Sequence, residues 1–240
     1  MKIYRNIYLA EHIEGFLTTR EGQLLYSMAR ACHGLGVIVE IGSWKGRSTI
    51  WLASGLQDGS SKSILYAIDP HTGSPEHQGE NSVWTFDQFQ SNITAAGLQH
   101  VIKPLIKTSV EAISHINDKI ELLFIDGAHE YEAVRLDYEL FRPLVTNGGF
   151  IAFHDSSWPG VDRLLNEVLI KDGFKDVYFT DTLFFGIKIP QATRKDRLKN
   201  IIMLSLNRQF YSTCRSKFPK AIRSLQKNLI KLCREIIYRS

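Results

Sequence analysis

The chain has 240 residues, 44% of them hydrophobic and 22% charged. That is enough apolar material for one large three-layer core, and it excludes a disordered chain or a small disulfide-stapled scaffold. The net charge of +4 averages two unlike parts. Residues 194–240 hold 13 Lys and Arg against Asp196 and Glu235, leaving 16 basic and 23 acidic residues upstream, so a body of −7 precedes a tail of +11. In chain order, Leu24, Leu25, Met28, Ala29 and Ala31 recur at helical spacing and predict a helix over 18–35, with Thr18, Thr19 and Glu21 as capping candidates. The run VIVEI at 37–41 predicts a buried strand ended by Gly42, followed by a helix over 46–56 and a second strand, ILYAID, at 64–69. A polar loop at 70–81 precedes a helix over 82–97, a strand at 101–106, a helix over 109–116 and the strand ELLFID at 121–126. A helix over 130–142, the strand GFIAFH at 149–154 and a helix over 161–171 complete the alternation. Near-continuously apolar strands alternating with helices predict a doubly wound α/β fold, a mostly parallel sheet covered on both faces. The last two strands, 174–179 and 183–189, are joined by too few residues for a crossover helix, so they should pair antiparallel and end a seven-stranded sheet.

Cys32, Cys214 and Cys233 are odd in number and widely spaced, which fits a reducing cytosol better than a disulfide framework or a zinc site. Glu11, His12 and Glu14 interrupt any apolar N-terminal run, so no signal peptide is expected, and no stretch is long and uncharged enough to span a membrane.

In a doubly wound sheet, ligands bind outside the carboxyl ends of the strands. After the first strand, EIGSWKGRS (40–48) places Gly42 and Gly46 where backbone can approach a ligand and where the next helix opens its amides. Asp69 ends the second strand, 27 residues beyond Gly42, where a carboxylate can accept hydrogen bonds from ribose hydroxyls. A phosphate-cradling P-loop is excluded because only three residues separate the glycines and Arg47 follows. A dinucleotide loop is excluded because Ser43 and Trp44 stand where a pyrophosphate needs glycine. A ligand with a ribose and no phosphate fits, and the E-x-G-x-x-x-G spacing resembles the S-adenosylmethionine loop of class I methyltransferases.

The stretches EGQLLYSMA (21–29), VEIGSWKGRSTIWLA (39–53) and LLFIDGAHEYEAVRLDYELFRPLVTNGGFIAFHD (122–155) resemble the class I subfamily that includes the macrolide-sugar O-methyltransferases and the cephalosporin hydroxylase-type proteins. The resemblance spans residues 15–190 and implies a Rossmann-like methyltransferase domain over 1–193. It implies S-adenosylmethionine as cofactor, with Glu40, Gly42, Ser43, Gly46 and Ser48 at its methionine end, Asp69 on the ribose, Ser109 on the adenine side and Asp126 nearby. It also implies O-methylation of a hydroxyl on a small-molecule or lipid-linked sugar, with His129 beside Asp126 as the general base. In metal-dependent relatives two ligands after the fifth strand join the aspartate after the fourth to hold Mg²⁺, which would make Asp126, His154 and Asp155 the ligands here. His154 departs from the carboxylate of those relatives, so a softer ion such as Mn²⁺ or Fe²⁺, or no metal at all, stays open.

The loop HTGSPEHQGENSVW (71–84) follows the cofactor aspartate and is read as an acceptor lid, its His71, Glu76, His77 and Glu80 as solvated rather than metal-binding. Trp44, Trp84 and Trp158 lie beside strand ends, for stacking on a ligand or for packing. In the tail, Ile222, Leu225, Leu229, Leu232, Ile236 and Ile237 follow three- and four-residue steps with cations between them, a basic amphipathic helical extension broken near Pro219. Packing or self-association, and adsorption to an anionic membrane, are both open for it. Nucleic acid is not expected, since the acidic body would repel phosphates. Two other functions stay open: a hydroxylase or non-catalytic cofactor-binding protein on the same scaffold, and a membrane-associated scaffold protein.

Overall fold

Seven strands form one sheet in a computed structural model that describes residues 2–73 and 83–239. The strands are β1 (Val37–Ile41), β2 (Leu65–Ile68), β3 (Ile102–Leu105), β4 (Ile120–Ile125), β5 (Val145–Phe153), β6 (Phe174–Thr180) and β7 (Leu183–Lys188), in the order β3-β2-β1-β4-β5-β7-β6. β1 to β5 pair parallel, and β7 pairs antiparallel with both β5 and β6. The chain winds outward from β1 to β3 and then returns to place β4 on the other side of β1. This reversal opens a crevice at the carboxyl ends of the central strands.

The central strands are buried on both faces, and their alternation divides the core in two. Val37, Val39 and Ile41 face one layer with Leu123, Ile125 and residues of α6 (Tyr131–Phe141) and α7 (Pro159–Lys171). Ile38, Leu122 and Phe124 face the other, with residues of α2 (Thr19–Arg30), α3 (Arg47–Asp58) and α4 (Phe86–Ala96). A short helix, α5 (Ser109–Ala112), stands between β3 and β4.

The structure differs from the sequence reading at a few elements. A helix over Lys2–His12, α1, was not expected; it packs Ala10 into the α3 layer. β5 begins four residues earlier than predicted, because Asn147-Gly148-Gly149 reads as a turn but forms an irregularity inside the strand, with Gly148 at φ +89°. The predicted helix over 82–97 is observed as Phe86–Ala96, and its predicted start at 82 lies outside the described residues.

The basic extension forms two helices, α8 (Arg194–Arg215) and α9 (Lys220–Arg239). Thr193, at the expected boundary, caps α8 in a reciprocal capping box with Asp196. α8 is part of the core: Met203, Leu204 and Phe210 are buried in the α6–α7 layer, and Asn200 donates to the Phe174 carbonyl oxygen at 3.0 Å. α9 turns several cations toward the body, Arg234 onto the Phe179 carbonyl oxygen at 2.6 Å and Lys227 over the Phe210 ring. Its opposite face exposes Ile222, Leu225, Leu229, Leu232 and Ile236. Among the described residues no helix is long and apolar enough to cross a membrane.

Candidate active site

The crevice at the carboxyl ends of β1, β2 and β4 contains a cavity of about 440 Å³. This is within the range of sites for small ligands and cofactors. Gly42, Ser43 and Trp44 line it from the β1–α3 loop, Ser48 from the first turn of α3, Asp69 from the end of β2, Ser109 from α5, and Asp126, His129, His154 and Asp155 from the segments that follow β4 and β5. Ten of the expected residues are therefore gathered in one space. Glu40 and Gly46 are not on its wall. Glu40 lies behind the loop, fully buried, where Thr49 Oγ1 donates to its Oε2 at 2.6 Å; burial raises its carboxyl to about 8. Gly46 is the left-handed residue that starts α3, at φ +89°.

The loop after β1 must approach the end of β4 closely. A Cβ on Gly42 would stand 2.1 Å from the Asp126 carbonyl oxygen, and Gly42 has φ +89°, so glycine is required twice over. Three non-glycine residues at the crevice also adopt positive φ: Trp44 at 45°, His71 at 60° and Asp155 at 48°. Such strain concentrates where a site imposes its own geometry. The Asp69 carboxylate holds two of these turns, accepting from the Trp44 amide at 2.7 Å and the His71 amide at 2.6 Å. Ser43 Oγ is buried on the cavity wall without a hydrogen-bond partner, a donor in need of a ligand group.

At the other end, His129 Nε2 lies 3.1 Å from Asp155 Oδ2, and the His129 ring stacks on Trp158 at 4.6 Å. Burial pushes the Asp155 carboxyl up, but hydrogen bonds from His129 and His154 outweigh it and hold the group well below the usual carboxylate range. Asp126 is raised, mainly by burial and against the pull of His154. His154 Nδ1 is 3.0 Å from Asp126 Oδ1 and 3.3 Å from Asp155 Oδ2. Burial opposes charge on this imidazole, but Asp126 and the surrounding carboxylates raise it well above its ordinary value.

Several site residues were not anticipated as such. Glu21, read only as a cap, does cap α2 with Thr18, yet it is fully buried against His154 and Thr182. Asp137 lines the cavity from α6, its carboxyl raised to about 6 by burial and restrained by Ser109. An acid on the apolar stripe of Val134, Tyr138 and Phe141 is the signal that could have found it. Of the loop over 71–84, His71 is structural, with Nδ1 2.9 Å from Thr85 Oγ1 and its ring against Phe89. Trp84 is half exposed near His71, while Trp44 lines the cavity. Glu76, His77 and Glu80, and with them most of the expected lid, lie outside the described residues.

Residues 39–156, which hold nearly every cavity-lining strand end, match the family model described as a methyltransferase domain. Over these residues the chain is similar to methyltransferase domains. A curated protein of Acanthamoeba polyphaga mimivirus, the uncharacterized protein R132, is 32% identical to it over 120 residues, 49% of this chain and 50% of the viral protein. The chain thus spans only about half of that relative. The O-methyltransferase NovP superposes with a TM-score of 0.62 at 15% identity, covering 79% of this chain and 88% of NovP. The O-methyltransferase TomG from Streptomyces achromogenes, solved in complex with S-adenosylmethionine, gives 0.55 at 17% identity, covering 78% and 89%. These structures share the overall fold of this chain.

Proposed function

We propose that the methyltransferase domain binds S-adenosylmethionine and transfers its methyl group to a hydroxyl oxygen of a sugar or glycoconjugate, free or lipid-linked. One observation carries the reading: a single cavity joins a nucleoside-suited end, with Asp69, Ser43, Ser109 and Asp137, to an end where a histidine and two aspartates meet. The residues suit the cofactor. Asp69 offers its remaining lone pairs to a ribose, and the Ser43 hydroxyl, buried on the cavity wall, makes no hydrogen bond to the described residues. When bound, S-adenosylmethionine supplies an electrophilic methyl on a sulfonium, and the acidic wall of Asp69, Asp126 and Asp155 favours that positive charge.

The acceptor hydroxyl must lose its proton as it attacks. His129 is the base in this reading, its imidazole kept next to the Asp155 carboxylate, which stabilises the imidazolium formed. Both ring nitrogens are buried, so the ring must turn from its stacking on Trp158 to meet the acceptor. Asp126, Asp155 and His154 also form a donor set for a divalent ion. An ion held there would lower the proton affinity of acceptor oxygens. The sugar class is supported by the resemblance of residues 15–190 to sugar O-methyltransferases. The test is incubation with methyl-labelled S-adenosylmethionine and a panel of sugars and glycolipids. Label in an ether linkage with matching S-adenosylhomocysteine release supports the reading; label transferred to nitrogen or carbon, or neither labelled acceptor nor S-adenosylhomocysteine from any member of the panel, overturns it.

A further inference from the structure

The helix α9 has two apolar faces, and the body covers one of them. On the inner side Ile230 is buried in the α6–α7 layer and Ile237 packs against it. The cations of the helix lie on that side as well. Arg234 donates to the Phe179 carbonyl oxygen and pairs with Glu235 at 2.9 Å, Lys227 stands over the Phe210 ring, and Arg223 reaches the Cys214 carbonyl oxygen at 3.4 Å. The outer side carries Ile222, Leu225, Leu229, Leu232 and Ile236, which are 45% to 62% exposed. A continuous row of half-exposed aliphatic side chains marks an interaction surface rather than a face left to water.

Spacing and charge together define what fits this row. Its steps are three, four, three and four residues, a mean of 3.5, so it runs nearly straight along the helix in the a and d positions of a heptad. That is the seam one helix offers to another. A helix that lies on a membrane carries a broader apolar face with its cations free to reach the headgroups. Here Arg223, Lys227, Lys231, Arg234 and Glu235 are at most partly exposed, and the exposed residues from Ala221 to Tyr238 carry no charge. The exposed cations of α9 are Lys220 and Arg239, at its two ends. An anionic lipid surface would therefore meet little charge along this face. Two copies of the face, by contrast, meet without like-charge repulsion and match each other in spacing. Five such side chains per copy let a pair remove on the order of 1,000 Å² of surface from water, the lower limit for a specific interface.

We propose that the outer face of α9 binds the same face of a second copy of this chain, forming a dimer through a helix pair two heptads long. The dimer is two-fold symmetric, because a stripe that is complementary to itself is used up once two copies have met. The basic composition of the tail then has a structural consequence: its cations fasten α9 to the body and leave the outer face neutral. The inference goes beyond methyl transfer and does not depend on it.

The experiment measures the mass of the full chain by sedimentation equilibrium from about 1 µM to about 500 µM, together with flotation on vesicles of phosphatidylcholine with and without phosphatidylserine. A reversible monomer–dimer equilibrium with a dissociation constant of about 1–100 µM is expected, which an interface of this size can supply. Leu229→Glu combined with Leu232→Glu should raise that constant more than about tenfold. Ser224→Glu, at an exposed position off the row, should leave it unchanged. Far-UV circular dichroism checks the fold of each variant, and Leu229→Asn, a milder change, gives the same comparison if the double variant does not fold. A wild-type chain that stays monomeric at the highest concentration, a dimer that the Leu229 and Leu232 substitutions leave intact, or one that Ser224→Glu weakens as much, overturns the proposal. Monomers that float with the anionic vesicles, and no longer do so in the double variant, assign the row to lipid and overturn it too.

Discussion

Glu40 sits fully buried on the α3 face of β1, among Ser48, Thr49, Asp69 and Asp126, and the consequence for stability can be worked from its surroundings. Burial raises its carboxyl from 4.5 to about 8, the hydrogen bonds from Ser48 and Thr49 restrain the rise, and the charges of Asp126 and Asp69 add to it. Between these two values the unfolded chain has released this proton while the folded chain keeps it. The folded state then binds more protons, so stability falls as pH rises through the window and levels off above about 8. At about 1.4 kcal/mol per pH unit the full effect is roughly 5 kcal/mol, an upper bound. Glu40→Gln keeps the shape and the acceptor that Thr49 uses but has no proton to lose. The variant should match the wild type near pH 4.5 and exceed it at pH 9 by several kcal/mol, on the order of 10 °C in Tm for a chain of this size. Thermal unfolding followed by circular dichroism at pH 5, 7 and 9 measures this. A Tm difference that does not grow with pH would refute the reasoning.

Further substitutions test the other parts of the site. Gly42→Ala forces a Cβ to 2.1 Å from the Asp126 carbonyl oxygen at φ +89° and should cost more than about 2 kcal/mol by denaturant unfolding; an unchanged midpoint would contradict the close approach of the β1 loop to β4. Asp69→Asn retains an acceptor but loses the charge, and should weaken S-adenosylhomocysteine about 10-fold or more by calorimetry. His129→Ala should lower the rate of methyl transfer about 10²–10⁴-fold with cofactor affinity kept; an unchanged rate would remove His129 from the role of base. Leu225 and Leu229 are 62% and 54% exposed on α9, so replacing both by Glu should leave Tm unchanged and remove any self-association or binding to anionic vesicles seen in sedimentation. Identical sedimentation of variant and wild type, with and without vesicles, would show the stripe to be inert.

Much of this architecture was legible from the letters. The five parallel strands are apolar runs because each is covered on both faces, and the short link between β6 and β7 required an antiparallel pair. The strand-end residues Asp69, Ser109, Asp126, His129, His154 and Asp155 could be expected together because a doubly wound sheet brings its strand ends to one edge, and there they line one cavity. What could not be read was the company each residue keeps. Glu21 meets His154 across 133 residues and Thr182 across 161, contacts that no local pattern encodes. Glu40 has the spacing of a cofactor ligand, yet strand alternation turns it behind the loop toward Thr49. The amphipathic pattern of the tail was visible, but not that α8 closes the core on the side of α7 while α9 turns cations inward.

The central claim is that this crevice binds S-adenosylmethionine, and calorimetric titration of the full chain with S-adenosylhomocysteine tests it most directly. Saturable binding of one molecule per chain, weakened in Asp69→Asn, is expected. No detectable binding to the folded wild-type chain at millimolar S-adenosylhomocysteine would contradict it.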